Sequence, residues 1–388
     1  MTAPFEVTTD LAPQALQTRR DEIESILLDA FPEVQPLGPS SWEVIDRYKD
    51  GSFGMSLASF YLYSNGANLR GKSHRFPAGL LYHDGEVCFS IGAFRRTLDG
   101  DRWHLMISAP KGENAVERVH RFLQRAAPLT AHLGAENYVR HLSDAQREAF
   151  HALGYRPVEE SPWDPKAPAE DETLNHRLVC LSDLIETAPD GSFSVKTLQS
   201  SQAKRFRTKA RLAWNRFSNF LERGGLRYRV RPFEAADGDL AEEMVRSHFG
   251  ELIDPVGSTP EDYMNLVRLD PAAAGPGYFG RIAYLEGLGE SVPLSLFIGE
   301  RTGPETVSLY ATFTRRSPGP LEGRLDLTGF TAAPQFAYLR IFHELQGLGV
   351  KFADLGGSET EPLDRFKAQL GAQELMTYWV VQPNRARG

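Results

Sequence analysis

Cysteine is nearly missing from this 388-residue chain: only Cys88 and Cys180 occur. They show no metal-ligand spacing and are too few for a disulfide framework, so both are expected to be buried thiols of a reducing compartment. No apolar run reaches the roughly 18 residues that a membrane-spanning helix needs. The first residues, MTAPFEVTTDLAPQ, have neither the basic start nor the apolar stretch of a secretory signal. The expected location is cytoplasmic, with no integral membrane association. Also missing are a His-Glu-x-x-His pair, an EF-hand loop and a nucleophile elbow, and the ten histidines are scattered. Neither a metal site nor a covalent mechanism is expected. The net charge of −8 argues against a protein that coats nucleic acid generally.

What is present has the composition of a globular protein, and the length exceeds what one core normally supports, so two domains are expected. Residues 13–31 read as a helix with Leu16, Arg20, Ile23, Leu27 and Ala30 down one side, and GSFGMSLASFYLYSNG as a strand. Asp84-Gly85 marks a hairpin turn, and another strand is expected over 103–108. A helix from Ala115 carries Val116, Val119, Phe122 and Leu123 on one face. It is followed by a strand, NYVRHL, and a short helix opened by Ser143 and Gln146 at capping-box spacing and closed by Leu153-Gly154. A Pro-rich and acidic stretch, EESPWDPKAPAEDE, then reads as a surface connection.

The next informative stretch is strongly basic. Between Lys196 and Arg231 there are eleven Lys and Arg against a single Glu. Phe206, Ala210, Ala213, Phe217 and Phe220 recur at helical spacing, leaving Lys204, Arg205, Arg207, Lys209, Arg211 and Arg216 on the other faces. Two readings fit: a solvated face with acidic loops nearby, or a surface for a polyanion. Three strand-like runs then span 278–316, and SPGPLEGRLDLTG forms a long loop, either an ordinary exposed one or a cover for a nearby site.

Residues 334–381 repeat the order helix, strand, short helix, strand seen over 115–158, with AQLGA answering HALGY. Tyr338, Ile341, Phe342, Leu345 and Leu348 form a helical stripe that Gly347 or Gly349 stops, and 350–355 reads as a buried strand. It ends in Asp354-Leu355-Gly356-Gly357-Ser358, where adjacent glycines permit a sharp turn or close approach to a ligand. Pro362 and Gly371 bound a second helix whose Leu363, Phe366 and Leu370 should face the core, with the Lys367 ammonium free to reach a cleft. In the first copy there is no Asp-x-Gly-Gly, and Phe150 or His151 stands where Lys367 does, so chemistry is expected in the second copy.

This segment resembles the Fem family of aminoacyl-tRNA-dependent transferases and the catalytic domain of lysylphosphatidylglycerol synthases. Both have an Asp and glycines at the end of a late strand, then a helix with Phe-Lys. The basic helix is similar to one that Fem proteins carry. The resemblance implies an α/β fold of two tandem GNAT-like domains, each a mixed, mainly antiparallel sheet flanked by helices. Residues 1–175 would be an accessory, degenerate domain and 176–388 the catalytic one.

The implied activity moves an aminoacyl group from aminoacyl-tRNA to an amine of a small-molecule or peptide acceptor, forming an amide bond, with no cofactor beyond the donor itself. Lys367 would stabilise the oxyanion and Asp354 would orient the amine or take its proton. Equally open are an exposed Lys367 paired with Asp364 or Glu374, and an Asp354 that only caps its turn. Gly356, Gly357, Ser358, Tyr310 and Thr312 would border the substrate. Lys204, Arg205, Arg207, Lys209 and Arg211 would bind tRNA. The alternatives are an acyl-CoA-dependent GNAT N-acyltransferase, or a non-catalytic protein that binds RNA or a partner. Neither TGFTAAPQFAYLRIF nor SAPKGENAVERV contains the Gly-rich phosphate turn that CoA-binding GNAT enzymes use.

Overall fold

Apolar alternation and tight turns build two seven-stranded sheets. The computed structural model describes residues 13–63, 79–96, 102–130, 137–157, 176–196, 201–250, 260–358, 360–375 and 378–381. The first half runs α1 (Pro13–Ala30), β1 (Val34–Pro36), α2 (Trp42–Ile45), α3 (Leu57–Tyr63), β2 (Leu80–His83), β3 (Val87–Arg96) and β4 (Arg102–Gly112). It continues through α4 (Ala115–Thr130), β5 (Asn137–Leu142), α5 (Asp144–Ala152) and β6 (Arg156–Pro157). Next come β7 (His176–Cys180), α6 (Leu181–Leu184), β8 (Ile185–Thr187), β9 (Phe193–Val195) and the basic helix α7 (Ser201–Gly224). The second half has β10 (Arg227–Pro232), α8 (Gly238–Gly250), α9 (Met264–Val267), β11 (Tyr278–Gly287), β12 (Glu290–Gly303) and β13 (Thr306–Thr314). It ends with α10 (Ala333–Gly347), β14 (Phe352–Asp354), α11 (Glu361–Gln369), β15 (Gln373–Leu375) and β16 (Tyr378–Val381).

The sheet orders are β1-β2-β3-β4-β5-β16-β6 and β10-β11-β12-β13-β14-β7-β15. These are one topology twice. Four antiparallel strands lead to a parallel step, β4 to β5 or β13 to β14, and an antiparallel strand then enters from elsewhere in the chain. The strand that follows each half's last strand thus crosses into the other half's sheet. A division at 175/176 assigns β16 to the second domain, whereas its backbone pairs within the first sheet. The short helices correspond residue for residue: Ser143 and Thr360 are N-caps, Leu153 and Leu370 are C-caps, and Gly154 and Gly371 follow with φ of +86° and +79°. The Ser143–Gln146 capping box forms as its spacing predicts.

The cores follow the helical stripes. Val116, Val119, Phe122 and Leu123 of α4 pack with Ile23 and Leu27 of α1 in the first core. Tyr338, Ile341, Phe342 and Leu345 of α10 build the second, and Phe217 and Phe220 of α7 meet Phe330 and Phe336. Burying each such aromatic is worth roughly 1.5–3 kcal/mol. Leu348, expected on the stripe, is instead 53% exposed, because the helix ends at Gly347 and Leu348 is its C-cap. Cys88 is buried, but Cys180 is only half-buried, at the end of β7.

The strand expected over GSFGMSLASFYLYSNG does not form. Within its described part, residues 51–56 are irregular and 57–63 are helix α3. Glu300 of β12 accepts the N–H groups of Leu57 (3.3 Å) and Ala58 (2.7 Å), and the Ser56 hydroxyl accepts that of Ser59 (2.9 Å). A carboxylate from 242 and 243 residues away on the chain thereby satisfies the open helix end. Leu57, Ala58, Ser59, Phe60 and Tyr61 are all buried, which erases any helical period from the sequence.

Candidate functional site

β13 pairs with β14 only over 306–308 and 352–354, then runs on to Thr314, so the strands part beyond Ser308 and Asp354. The chain turns there through 354–358. Gly356 has φ +66°, and a Cβ on it would lie 2.7 Å from the Phe53 ring, so both conformation and space demand glycine. The Asp354 carboxylate is 1% exposed, and its Oδ1 accepts the Gly356 N–H at 2.8 Å. The capping role thus exists. It uses one oxygen only: Asp354 Oδ2 and the Ser358 hydroxyl are buried without a hydrogen-bond partner among the described residues. His176 Nδ1 lies 3.9 Å from Asp354 Oδ1, an electrostatic distance and too long for a hydrogen bond.

Lys367 differs from both expectations for it. It is neither exposed nor free: it is 6% exposed, and its ammonium donates to the carbonyls of Gly356, at 3.2 Å, and of Gly357. Asp364 and Glu374, the partners an exposed Lys367 would have taken, face Arg177 of β7 instead. The Arg177 guanidinium holds Asp364 through two 2.7 Å bonds, which fixes α11 against β7 and turns Lys367 inward. That rotation leaves Leu363 37% exposed rather than in the core, while Leu370 is fully buried. In the first half the residue at the same place in α5 is Phe150, fully buried, so that copy has no cation there.

Tyr310 is buried and its hydroxyl donates to the Phe53 carbonyl at 2.6 Å while accepting from the Ser56 hydroxyl at 2.6 Å. Burial, with Glu300 nearby, pushes its phenol well above the ordinary value, which keeps it a donor. Thr312 bonds the hydroxyl of Tyr338. The structure therefore gathers Asp354, Gly356, Gly357, Ser358 and Lys367 at one turn, with Tyr310 linked to it through Phe53, and engages Thr312 in packing of α10.

Phe53, His176 and His141 were not legible as site residues. The Phe53 ring lies 4.7 Å from His176, 4.5 Å from Tyr310 and 6.3 Å from His141. His141 stands 3.3 Å from both Ser108 Oγ and an Arg140 nitrogen, with φ +56°. Burial, followed by Arg140, His176 and Lys111, pushes its imidazole well below the ordinary value. The glycines flanking Phe53 were the only local signal. Among the described residues no group of three His, Cys, Asp or Glu side chains is placed to hold a metal ion.

The basic helix forms as expected, and Ala210, Ala213, Phe217 and Phe220 face inward. The side chains of Lys204, Arg205 and Arg207 lie outside the described residues. Lys209, Arg211 and Arg216 are exposed and make no ion pair among the described residues, whereas Arg223, Arg229 and Arg231 meet Asp326, Glu286 and Asp237. Among the described residues no helix is long and apolar enough to cross a membrane.

No protein-family model and no curated protein matches the sequence. Solved structures do match the fold. L-PGS from Bacillus licheniformis superposes with a TM-score of 0.54 at 13% identity, over 91% of this chain and 94% of that one. FemX gives a TM-score of 0.53 at 10% identity, over 90% and 96%. The architecture is tandem GNAT-like. A conserved protein of unknown function from Bacteroides thetaiotaomicron shares it, with a TM-score of 0.56 at 11% identity over 90% and 99%. At such identities the likeness is one of fold, and the tandem GNAT-like frame leaves the chemistry to the site.

Proposed function

We propose that the protein is an acyltransferase that moves an aminoacyl group from aminoacyl-tRNA to an amine of a small molecule or peptide, with the chemistry in the second GNAT-like unit. The observation that carries this reading is the buried Lys367 ammonium on the carbonyls of a glycine turn that also holds Asp354. The amine nitrogen attacks the ester carbonyl, the bond to the ribose oxygen breaks, and that oxygen takes a proton as the amide forms. The ester is already activated, so holding the two reactants together supplies much of the acceleration. A cation buried beside the turn stabilises the developing oxyanion more strongly than it would in water. Asp354 Oδ2 is an acceptor suited to the incoming amine. Lys209, Arg211 and Arg216, exposed and without an ion pair among the described residues, support a polyanionic donor, whose availability would place the reaction in the cytoplasm.

The test is single-turnover discharge of tRNAs charged with labelled amino acids, in the presence of pooled amine acceptors. Transfer of label into an acid-stable amide supports the reading. Failure to discharge any charged tRNA, together with thermal stabilisation by an acyl-CoA, would replace it with CoA-dependent acyl transfer.

A further inference from the structure

Four side chains of the proposed site are covered: Asp354 is 1% exposed, Ser358 0%, Lys367 6% and Tyr310 6%; Gly357 is half-buried. The recess of about 580 Å³ near α1 and α9, lined by Leu28, Leu37, Tyr61, Arg268 and Leu269, includes none of them. Part of their cover comes from the first half. One carboxylate, Glu300, binds Lys49 on one side of the 50–56 loop (2.5 Å) and the N–H groups of Leu57 and Ala58 on the other. The ends of the loop are thus pinned together, in the manner of an Ω-loop. Its tip carries Phe53, packed over the bare Cα of Gly356. The tip is tied down by Gly51 N–H to the Thr302 carbonyl (2.7 Å), by Tyr310 to the Phe53 carbonyl, and by Asp50 to Lys111 (2.8 Å).

We propose that residues 50–56 are a withdrawable plug, with Phe53 as its stopper, over an amine-binding subsite whose acceptors are Asp354 Oδ2 and the Ser358 hydroxyl. Two observations support it independently. A loop pinned at both ends by one carboxylate can move its tip without unfolding its flanks, and Gly51, at φ +92°, and Gly54 bracket the stopper. On the same turn as Gly356, two buried acceptors without partners among the described residues carry a desolvation cost that a protonated amine would relieve. The choice of an amine rests on the proposed reaction; the plug itself does not.

The experiment is thiol labelling of the Ser358→Cys protein with a maleimide, read cysteine by cysteine by peptide mass spectrometry. Half-buried Cys180 serves as the fast reference and buried Cys88 as the unfolding control. With Phe53 in place, residue 358 should label nearly as slowly as Cys88. Adding Phe53→Ala should speed residue 358 at least tenfold while Cys88 is unchanged. Should Phe53→Ala also expose Cys88, Tyr310→Phe, which removes only the hydroxyl that ties down the tip, decides the matter: faster labelling at 358 with Cys88 unchanged supports the plug. An unchanged rate at 358, or labelling as fast as Cys180 with Phe53 present, overturns it. Labelling is read on the free protein, so a failure to transfer aminoacyl groups leaves this result standing.

Discussion

Glu300 in the second half and Lys49 in the first form a buried ion pair at 2.5 Å, and Lys49 also reaches Asp46 at 2.5 Å. Lys49→Met leaves the carboxylate buried without its cation, so urea unfolding at neutral pH should show a loss of roughly 3–5 kcal/mol.

Burial pushes the Glu300 carboxyl above its ordinary 4.5, with Lys49 and the N–H groups of residues 57 and 58 opposing. Between the ordinary and raised values the folded protein holds more protons than the unfolded chain. This group's stabilisation is therefore present at low pH and lost as pH rises. Glu300→Gln removes that loss, so the urea midpoint of the variant relative to the parent should climb as pH rises from 4.5. A relative midpoint that falls over this range contradicts the assignment.

His141 has the opposite sign. Its imidazole is held well below 6.5, so its contribution is present above pH 6.5 and lost as pH falls through the folded value. The decline in urea midpoint between pH 7 and 5 should be shallower in His141→Asn, a residue that tolerates the left-handed backbone at φ +56°. In the parent, the imidazole Cε1–H resonance of His141 should shift less between pH 8 and 5.5 than that of a histidine with an ordinary value.

Lys367 has two functions that one substitution can separate. Lys367→Met keeps the stem and removes the charge-assisted bonds to the Gly356 and Gly357 carbonyls, a cost of roughly 1.5–3 kcal/mol in stability. If the ammonium also stabilises developing charge, the saturated single-turnover rate should fall roughly 100-fold while donor affinity changes little. A full rate in a folded Lys367→Met protein reduces the lysine to a clasp for the turn.

The exposed cations of α7 make the complementary prediction. Reversing Lys209 and Arg211 to Glu should weaken aminoacyl-tRNA binding and lower its log-log salt slope by roughly one to two, while sparing the saturated rate. An unchanged slope returns α7 to a solvated face.

What could be read from the sequence was local. The Asp84-Gly85 turn, with Gly85 at φ +92°, the Ser143 cap, the α4 stripe and the β11–β13 meander each depend on neighbours within a few residues. Asp354, the glycines and Lys367 were found together because they lie within fourteen positions of one another. What escaped depended on distant partners: Glu300 capping α3, Arg177 turning α11 over, Phe53 reaching Gly356, and His176 arriving beside Asp354 on a strand from the middle of the chain. None of these contacts leaves a periodic mark on either participant.

The position of β16 sets a timetable for synthesis. Its residues are made roughly 220–240 positions after β5 and β6, the strands it must separate and pair. At ~5–20 residues per second the ribosome delivers them roughly 10–45 s later. Throughout that interval the nascent first sheet has an open edge at β5, a template for a wrong strand. Residues 378–381 therefore act as a seal, and a ribosome that stops just short of them releases a chain whose earliest-made sheet is the part left open.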